Sequence, residues 1–466
     1  MKPSTRHAEL GGEFYDVVEP ARFPATILRW RNDRWAARVG LDGLSDAEWV
    51  AHFGRFEPLA GSFSQPLALR YHGHQFRSYN PDLGDGRGFL FAQLHDLADD
   101  RLLDLGTKGS GRTPWSRGGD GRLTLKGGVR ELLATEMLEA LGVDTSKTFS
   151  LIETGEELQR GDEPSPTRSA VLVRLNHSHI RIGSFQRQAA LDDVDATRRL
   201  MDHAITTYMP SVWRDDLADR ATAFLAEVSA RVARTGAAWM AAGFVHGVLN
   251  TDNINVTGES FDYGPWRFLP TFDPAFTAAY FDHQGLYAYG RQPGTLLWNL
   301  IRLAECLLPF ASQTALETAL DLFRPAYDAA LREATLRRLG LDSAGAEADQ
   351  ALVESFNGFL ERSRVPYEQA MFDWRGGVLS AGRAAGGPEA EAYAAGNVAA
   401  LFGAHAPAAD ANLDHPYFAA RMPCTMLVDD VDALWAPIAD HDDWSTLAEK
   451  LGRITAMSEA YGTQIG

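Results

Sequence analysis

The chain has 466 residues, of which 45% are hydrophobic and 23% are charged, a composition ordinary for a globular protein. Its net charge of −18 argues against nonspecific binding to nucleic acid. No apolar run approaches the roughly 20 residues that span a bilayer, and the first residues lack the apolar stretch of a signal peptide.

The first part of the chain, residues 1–188, predicts strands and one long helix. Residues 1–60 favour a wrapping segment with a short helix near DAEWVAHF. Residues 61–188 combine strand-like runs with the glycine-rich turns LGDGRG and KGSGRTPWSRGGDGR, and VRELLATEMLEALG has helical spacing. Strand, glycine-rich turn, strand, helix and strand follow one another in the N-lobe of a protein kinase. We therefore assign 61–188 to a kinase-like N-lobe.

The rest of the chain is predicted to be mainly helical. Residues 189–320 are assigned to a kinase-like C-lobe, and residues 321–466 to a helical extension whose acidic clusters DDVD and DHDDW indicate a solvated surface. The fold class is α+β: a protein-kinase-like two-lobed fold with a mixed β N-lobe, a helical C-lobe and a helical C-terminal extension. Cys306 and Cys424 lack the spacing of a disulfide framework or zinc site, so we expect a protein of the reducing cytoplasm. From the net charge and the lack of a long apolar run, we expect neither nucleic-acid nor membrane partners.

The sharpest motif is HGVLNTDNINVTGESFDYG, residues 246–264, which is close to the catalytic loop of a kinase. Asn253 and Asp262 are predicted to bind Mg²⁺ or Mn²⁺, since amide and carboxylate oxygens suit a hard cation. Val248 stands where a kinase has its catalytic aspartate. Asp252 is the nearest carboxylate, and it is either a displaced proton acceptor or a turn residue.

Further candidates lie in the first part of the chain. Lys108, at the end of LLDLGTK, is a candidate phosphate-binding lysine, and Glu131 or Glu136 on the following helix is its candidate ion-pair partner. Either glycine-rich turn is a plain turn or a phosphate-binding loop.

Two pairs of side chains near these turns are also conspicuous. VLVRLNHSHIRIGSFQ, residues 171–186, predicts two strands around the turn NHSH, with Arg174 and Arg181 on one side of a cleft or on the surface. His72 and His74 are predicted to share one face of a strand. We interpret them as hydrogen-bonded histidines and not as metal ligands, because no third ligand is near.

Taken together, these motifs resemble the selenoprotein O family of protein nucleotidyltransferases, over most of residues 10–310. The matching segments are YHGHQF, LGDGRG, KGSGRTPWSR, VRELLATEMLEALGV, VLVRLNHSHIRIGSF, HGVLNTDN, DYGP and LWNLIRLAECLLP. The resemblance implies that ATP binds in a flipped orientation and that AMP passes from ATP to Ser, Thr or Tyr hydroxyls of proteins, the chain itself among the candidate acceptors. UMP transfer from UTP is an alternative. A base aimed at the γ-phosphate is then not needed, which accounts for Val248.

The resemblance also implies a role for each candidate. Lys108 binds phosphate and pairs with Glu131, and Arg174 and Arg181 hold the phosphates. Asn253 and Asp262 bind the metal ion, and Asp252 accepts the proton. The nucleotide contacts would be Gly84, Gly86, Arg87, Asp120 and Gly121.

The chain departs from the family pattern in three places. Gly127 and Gly128 replace a serine-rich stretch and are expected to loosen the start of the helix. SRGGDGR lacks the usual alanine, and the sequence ends YGTQIG without selenocysteine or cysteine, so we expect no redox role for these last residues.

Two other functions stay open: a γ-phosphoryl kinase with Asp252 as displaced base, and a nucleotide-binding scaffold without turnover.

Overall fold

The computed structural model describes residues 1–161 and 163–463 and shows the expected α+β composition. Its strands are β1 (Pro3–Ser4), β2 (Tyr15–Val17), β3 (Ile27–Arg31), β4 (Leu67–Leu69), β5 (Gly73–Gln75), β6 (Ser78–Asn80), β7 (Leu90–His95), β8 (Leu102–Lys108), β9 (Leu123–Thr124), β10 (Lys147–Leu158), β11 (Thr167–Asn176), β12 (Phe244–Val245) and β13 (Arg267–Phe268).

The helices lie mainly in the second part of the chain. They are α1 (Asp33–Arg38), α2 (Asp46–Gly54), α3 (Leu125–Ala140), α4 (Ile182–Ala190), α5 (Val194–Tyr208), α6 (Leu217–Ala241), α7 (Gln292–Leu307), α8 (Gln313–Asp321), α9 (Phe323–Leu339), α10 (Ala346–Ser363), α11 (Tyr367–Asp373), α12 (Ala381–Gly386), α13 (Ala390–Ala395), α14 (Val428–His441) and α15 (Ser445–Tyr461). In the described part of the chain, no helix combines the length and apolarity needed to cross a membrane.

Among the described residues, nine strands form one sheet in the order β2-β4-β7-β8-β11-β10-β3, with β1 beside β7 and β9 beside β11. The pairings within it are antiparallel. Side chains alternate between its faces: Val171 and Val173 pack with α1 and α2, whereas Leu172 packs in the core that contains α3. The sheet therefore separates two apolar layers, and α3 covers one of its faces.

The helix α3 starts in an orderly way in spite of its two glycines. Thr124 caps it, because its hydroxyl accepts the backbone N–H of Gly127 at 3.1 Å. A Cβ at Gly128 would lie 2.5 Å from a methyl carbon of Leu151, so the missing side chain lets the helix approach β10 closely. The helix is continuous from Leu125 to Ala140, and the expected loosening of its start stays a prediction.

The structure also corrects the prediction for residues 1–60. The helix near DAEWVAHF is confirmed as α2, and a Ser45–Glu48 capping box fixes its start. However, the segment also contains α1 and three strands that join the main sheet. It is therefore part of the sheet layer and more than a wrapping segment.

The hairpin predicted over residues 171–186 is wrong in its second half. The strand β11 ends at Asn176, and α4 begins at Ile182. Ile182 and Phe185 are both buried. A strand would send residues three apart to opposite faces, whereas a helix places them on one face, and burial of the pair in one core favours the helix.

The C-terminal acidic clusters are solvated, as predicted, but they also make ion pairs. Asp432 and Asp442 have side chains 58% and 51% exposed. Asp432 lies 3.0 Å from Lys126 of α3, and Asp442 lies 2.7 Å from Arg168 of β11. These contacts join α14 and the residue that follows it to α3 and β11.

Candidate active site

A cleft of about 830 Å³ lies where the glycine-rich turns, the strands β8 and β11, and the loop after β12 meet. Its lining contains four aspartates and seven cationic side chains, namely Arg87, Lys108, Arg117, Arg122, Arg160, Arg174 and Arg181. In a chain with a net charge of −18, this local excess of positive charge suits a polyanionic ligand.

Lys108 and Arg174 point into the cleft region from neighbouring strands. Lys108 lies opposite Leu172 in the β8–β11 register, so Lys108 and Arg174 project from the same face of the sheet. Glu131 of α3 meets both cations: one carboxylate oxygen lies 2.6 Å from Lys108 Nζ, and the other lies 3.2 Å from Arg174 Nη1. The ion pair therefore follows from the strand register and from the face that α3 covers.

The structure distinguishes Glu131 from Glu136, the competing candidate on the same helix. Glu136 lies 3.9 Å from Arg34 and accepts a hydrogen bond from Asn32, on the side of α3 away from Lys108. Burial, and secondly the charge of Glu139, raise the pKa of Glu136 to about 7. Of these two glutamates, Glu131 is thus the one that is placed to hold Lys108.

Asp262 contacts the same two cations as Glu131. Its Oδ1 lies 3.1 Å from Lys108 Nζ and 3.2 Å from Arg174 Nη1. Burial opposes ionisation of this carboxyl, but Lys108, Arg174 and Arg181 outweigh burial and hold its pKa well below the usual range. Its backbone φ of +63° lies in the left-handed region, which aspartate adopts more readily than most residues.

Arg181 lies just before α4 and enters the cleft from another direction. Its Nη1 is 3.2 Å from Asp85 Oδ1, and its guanidinium carbon is 4.2 Å from the centre of the Tyr71 ring. The side chain is almost wholly buried. Asp85 and Tyr71 together fix the direction in which this guanidinium points.

The loop after β12 carries the remaining candidates. Asp252 lies in a single helical turn, Thr251–Asn253, and its Oδ1 is buried without a hydrogen-bond partner among the described residues. Burial raises the pKa of Asp252 to about 7. The side-chain amide of Asn253 donates to the carbonyl of Val248 at 3.0 Å, and its oxygen has no hydrogen-bond partner among the described residues. Val248 itself lines the cleft.

The glycine-rich turns form the wall opposite this loop. A Cβ at Gly84 would lie 2.4 Å from the Trp115 ring, and one at Gly86 would lie 2.7 Å from the Trp115 carbonyl oxygen. Gly121 has a φ of +70°, which favours glycine. Asp120 is held by Arg160 at 2.7 Å. The two turns therefore pack on each other, and glycine is required where they meet.

Of the twelve residues singled out from the sequence, eleven line the cleft, and Glu131 lies beneath it in contact with Lys108. His72 and His74 lie elsewhere: His72 precedes β5 and bonds to Tyr79, and His74 bonds to Gln186, as the hydrogen-bonded interpretation requires. Sequence reasoning missed Asp85, Trp115 and Arg160. Asp85 lies within LGDGRG and Trp115 within KGSGRTPWSRGGDGR, so membership of these turns could have identified both as cleft residues. Arg160 belongs to a distant loop, and no local pattern points to it.

Comparison with known proteins gives the chain a family. The model of the family described as "Protein adenylyltransferase SelO" matches residues 1–381. A protein of Synechococcus elongatus named "Protein nucleotidyltransferase YdiU" is 45% identical over 96% of this chain and 93% of its own length. Proteins of the same name from Gloeobacter violaceus and Synechocystis are 44% and 50% identical, over 96% and 75% of this chain and 93% and 73% of their own lengths.

These matches identify the chain as an enzyme of the nucleotidyltransferase class. More particularly, the chain belongs to the SelO family of protein adenylyltransferases. The resemblance stated from the sequence motifs is thereby confirmed.

Proposed function

We propose that this enzyme transfers AMP from ATP to Ser, Thr or Tyr hydroxyls of proteins, with UTP as an alternative donor. The observation that carries the proposal is the composition of one end of the cleft. Lys108, Arg174 and Arg181 line the cleft there, and so does Val248, which stands in the sequence where a kinase has its base. Such an end suits burial of terminal phosphates that are not themselves transferred.

In this proposal the β- and γ-phosphates of ATP lie against the three cations, and the α-phosphate faces the open part of the cleft. Gly84, Gly86 and Gly121 would allow the backbone to approach the nucleotide closely. Arg87 and Asp120 would make further contacts with it. Glu131 would act indirectly by holding Lys108.

Asn253 and Asp262 would hold a Mg²⁺ or Mn²⁺ ion. Within residues 1–161 and 163–463, no three His, Cys, Asp or Glu side chains form a cluster that could hold a metal by themselves. The free oxygen of Asn253 and the ionised carboxylate of Asp262 nevertheless fit a hard cation whose other ligands are phosphate oxygens and water. A bound ion would supply charge neutralisation on the phosphates.

The reaction would be a single in-line displacement. The hydroxyl oxygen of the acceptor bonds to the α-phosphorus while the bond from that phosphorus to the β-phosphate bridging oxygen breaks. Pyrophosphate leaves with the electron pair, stabilised by Lys108, Arg174 and Arg181. Asp252, whose Oδ1 has no other partner among the described residues, takes the hydroxyl proton.

The same evidence supports a kinase-like two-lobed arrangement, with the N-lobe at 61–188, the C-lobe at 189–320 and the extension beyond. A β8 lysine held by a helix glutamate, followed by a loop with Asn253 and Asp262, has the order of parts of a kinase site. A cytoplasmic location remains part of this proposal.

The test uses ATP labelled at either the α- or the γ-phosphate, with Mg²⁺ and Mn²⁺ supplied separately. Label is followed into the chain itself and into a mixture of proteins, with Asp252→Ala and Asp262→Ala as controls. We expect label from the α-phosphate alone, and its loss in both variants.

Two other results would each overturn the proposal. Label from the γ-phosphate alone would restore the kinase with Asp252 as displaced base. Tight nucleotide binding without transfer of either label, with either metal ion, would favour the scaffold. Repeating the assay with α-labelled UTP decides between the two donors.

A further inference from the structure

A second cavity, of about 340 Å³, shares no lining residue with the cleft described above. It lies between the turn after α3, the end of β11, and the helices α6 and α9. Four of its lining residues are arginines: Arg101, Arg231, Arg234 and Arg337. Four guanidinium groups around one small cavity are unusual in a chain with 62 acidic and 44 basic residues.

The arginines of this cavity are incompletely neutralised. Arg234 and Arg337 make no ion pair with any residue that the structure describes, and Arg337 has only a 3.4 Å hydrogen bond to the carbonyl of Gly142. Arg101 and Arg231 use Nε for Asp99 and Glu227, at 2.8 and 2.6 Å, and Nη2 of each makes a longer contact, with Asp96 at 3.7 Å and with the carbonyl of Tyr208 at 3.5 Å. Each guanidinium therefore keeps donors for another partner.

One carboxylate, Asp144, also lines the cavity. It makes no ion pair with the described residues, so it does not satisfy the arginines at contact distance. Asp96, Asp99 and Glu227, which lie outside the lining, offset the charges of Arg101 and Arg231. Arg234 and Arg337 are thus the two lining cations without an ion pair among the described residues, and a bound anion would pair with them.

The inner wall offers neutral hydrogen-bonding groups. Thr257 is 4% exposed, and its hydroxyl has no hydrogen-bond partner among the described residues. His177 is buried beside it in the lining. Burial, and then the charges of Arg101 and Arg231, lower the pKa of His177 to about 4, so its ring is neutral at pH 7 and can donate one hydrogen bond.

We propose that this cavity, defined by Arg101, Arg231, Arg234, Arg337, His177 and Thr257, is a second ligand site that binds a small phosphate-bearing anion. Guanidinium groups match the oxygens of phosphate, because each can donate two parallel hydrogen bonds. The volume of the cavity is at the lower end of the range for small-molecule sites. The site shares no lining residue with the nucleotide cleft and does not depend on the reaction proposed there.

The experiment titrates inorganic phosphate into the full chain by calorimetry, at constant ionic strength. The test variant is Arg234→Gln with Arg337→Gln, two exposed positions where glutamine should preserve the fold. Arg324→Gln, on the same helix as Arg337, is the surface control, and Arg87→Gln reports binding in the nucleotide cleft. We expect the double variant to weaken phosphate binding about 10-fold or more, and the other two to leave this binding event unchanged.

Three results would overturn the proposal. Wild-type protein that binds no phosphate would exclude the site, and binding lost only in Arg87→Gln would assign the phosphate to the nucleotide cleft. A parallel titration with citrate separates the anion classes, because a higher affinity for citrate than for phosphate would assign the cavity to polycarboxylates. Thermal unfolding midpoints that match among the variants show that lost binding is not lost folding.

Discussion

At the scale of single residues, the cleft is organised by a group of two cations and two carboxylates, of which three are buried and Asp262 is partly exposed to the cleft. Lys108 and Arg174 each contact both Glu131 and Asp262, over distances of 2.6–3.2 Å. Buried charges are costly unless each is paired, so each member depends on the others. Asp262 also faces the cleft, whereas Glu131 is 1% exposed and does not. Glu131 is therefore a positioning residue.

Glu131→Gln should lower kcat/KM for nucleotidyl transfer about 100-fold, because Lys108 would lose the partner that fixes its position. Steady-state assays with α-labelled ATP measure the effect. Glu136→Gln is the matched control, since it makes the same change five residues along α3 on a side chain that faces Arg34. Equal losses in the two variants would contradict a specific role for Glu131.

Glu136 itself carries a second prediction, which concerns stability and pH. Its pKa is raised from 4.5 to about 7, so the folded protein retains a proton that the unfolded chain releases. The contribution of Glu136 to the free energy of unfolding is therefore fully present below about pH 4.5, and it is lost as the pH rises from there to about 7.

Relative to the wild type, Glu136→Gln should gain on the order of 1–3 kcal/mol in free energy of unfolding between pH 4.5 and 7.5. Urea unfolding at four pH values across this window measures the difference. Stability curves that run parallel for the two proteins would show that Glu136 has an ordinary pKa.

At the scale of elements, the start of α4 and the loop that carries Asp252 pack unusually closely. A Cβ at Gly183 would lie 2.1 Å from the carbonyl oxygen of His72 and 3.5 Å from the Cα of Asp252. The backbone N–H of His72 also donates to the carbonyl of Gly183 at 3.1 Å. The first turn of α4 thus helps to position both Arg181 and Asp252.

Gly183→Ala should reduce activity at least 10-fold and destabilise the protein by about 1–3 kcal/mol, because α4 must shift to accommodate a methyl group. Gly294→Ala, in the first turn of α7, is the control, since nothing lies within 4 Å of its added Cβ. Transfer assays and thermal unfolding compare the two variants. A fully active Gly183→Ala protein would show that α4 does not position the catalytic loop.

The contrast between α4 and α3 shows what the sequence could reveal about elements. VRELLATEMLEALG has a long apolar face at helical spacing, so α3 and its Glu131 could be predicted. The run HIRIGSFQ alternates like a strand over its first residues, and its helix depends on burial against distant segments. Arg181 lines the cleft although the second strand is absent, because it is the residue directly before α4.

At the scale of the whole molecule, the C-terminal helices belong to the same core as α3. Ile454, Met457 and Tyr461 of α15 are buried in the apolar cluster that contains α3. Thr463 donates its hydroxyl to the carbonyl of Ala140, the last residue of α3, at 2.8 Å. Residues 428–463, which contain α14 and α15 and form the C-terminal tail, thus support α3, the helix that carries Glu131.

The sequence could predict that this tail is helical and its acids exposed, but not where it packs. Such contacts join residues more than 250 positions apart, and local periodicity carries no information about them. The same limit applies to Arg160, which reaches Asp120 of the cleft from another loop. In contrast, the candidates within compact motifs could be found, because neighbouring residues in a turn stay together.

Ile454→Ala tests whether the tail and α3 form one cooperative unit. Ile454 is 2% exposed, so truncation should cost about 2–5 kcal/mol through lost burial and the cavity left behind. Glu449→Ala, an exposed position on the same helix, should cost less than about 0.5 kcal/mol. Urea unfolding gives both values.

Hydrogen exchange then locates the effect of Ile454→Ala in the structure. We expect faster exchange of the α3 amides, because α3 loses its support. Faster exchange confined to α14 and α15 would instead show that the tail folds and unfolds independently of the helix that holds Glu131.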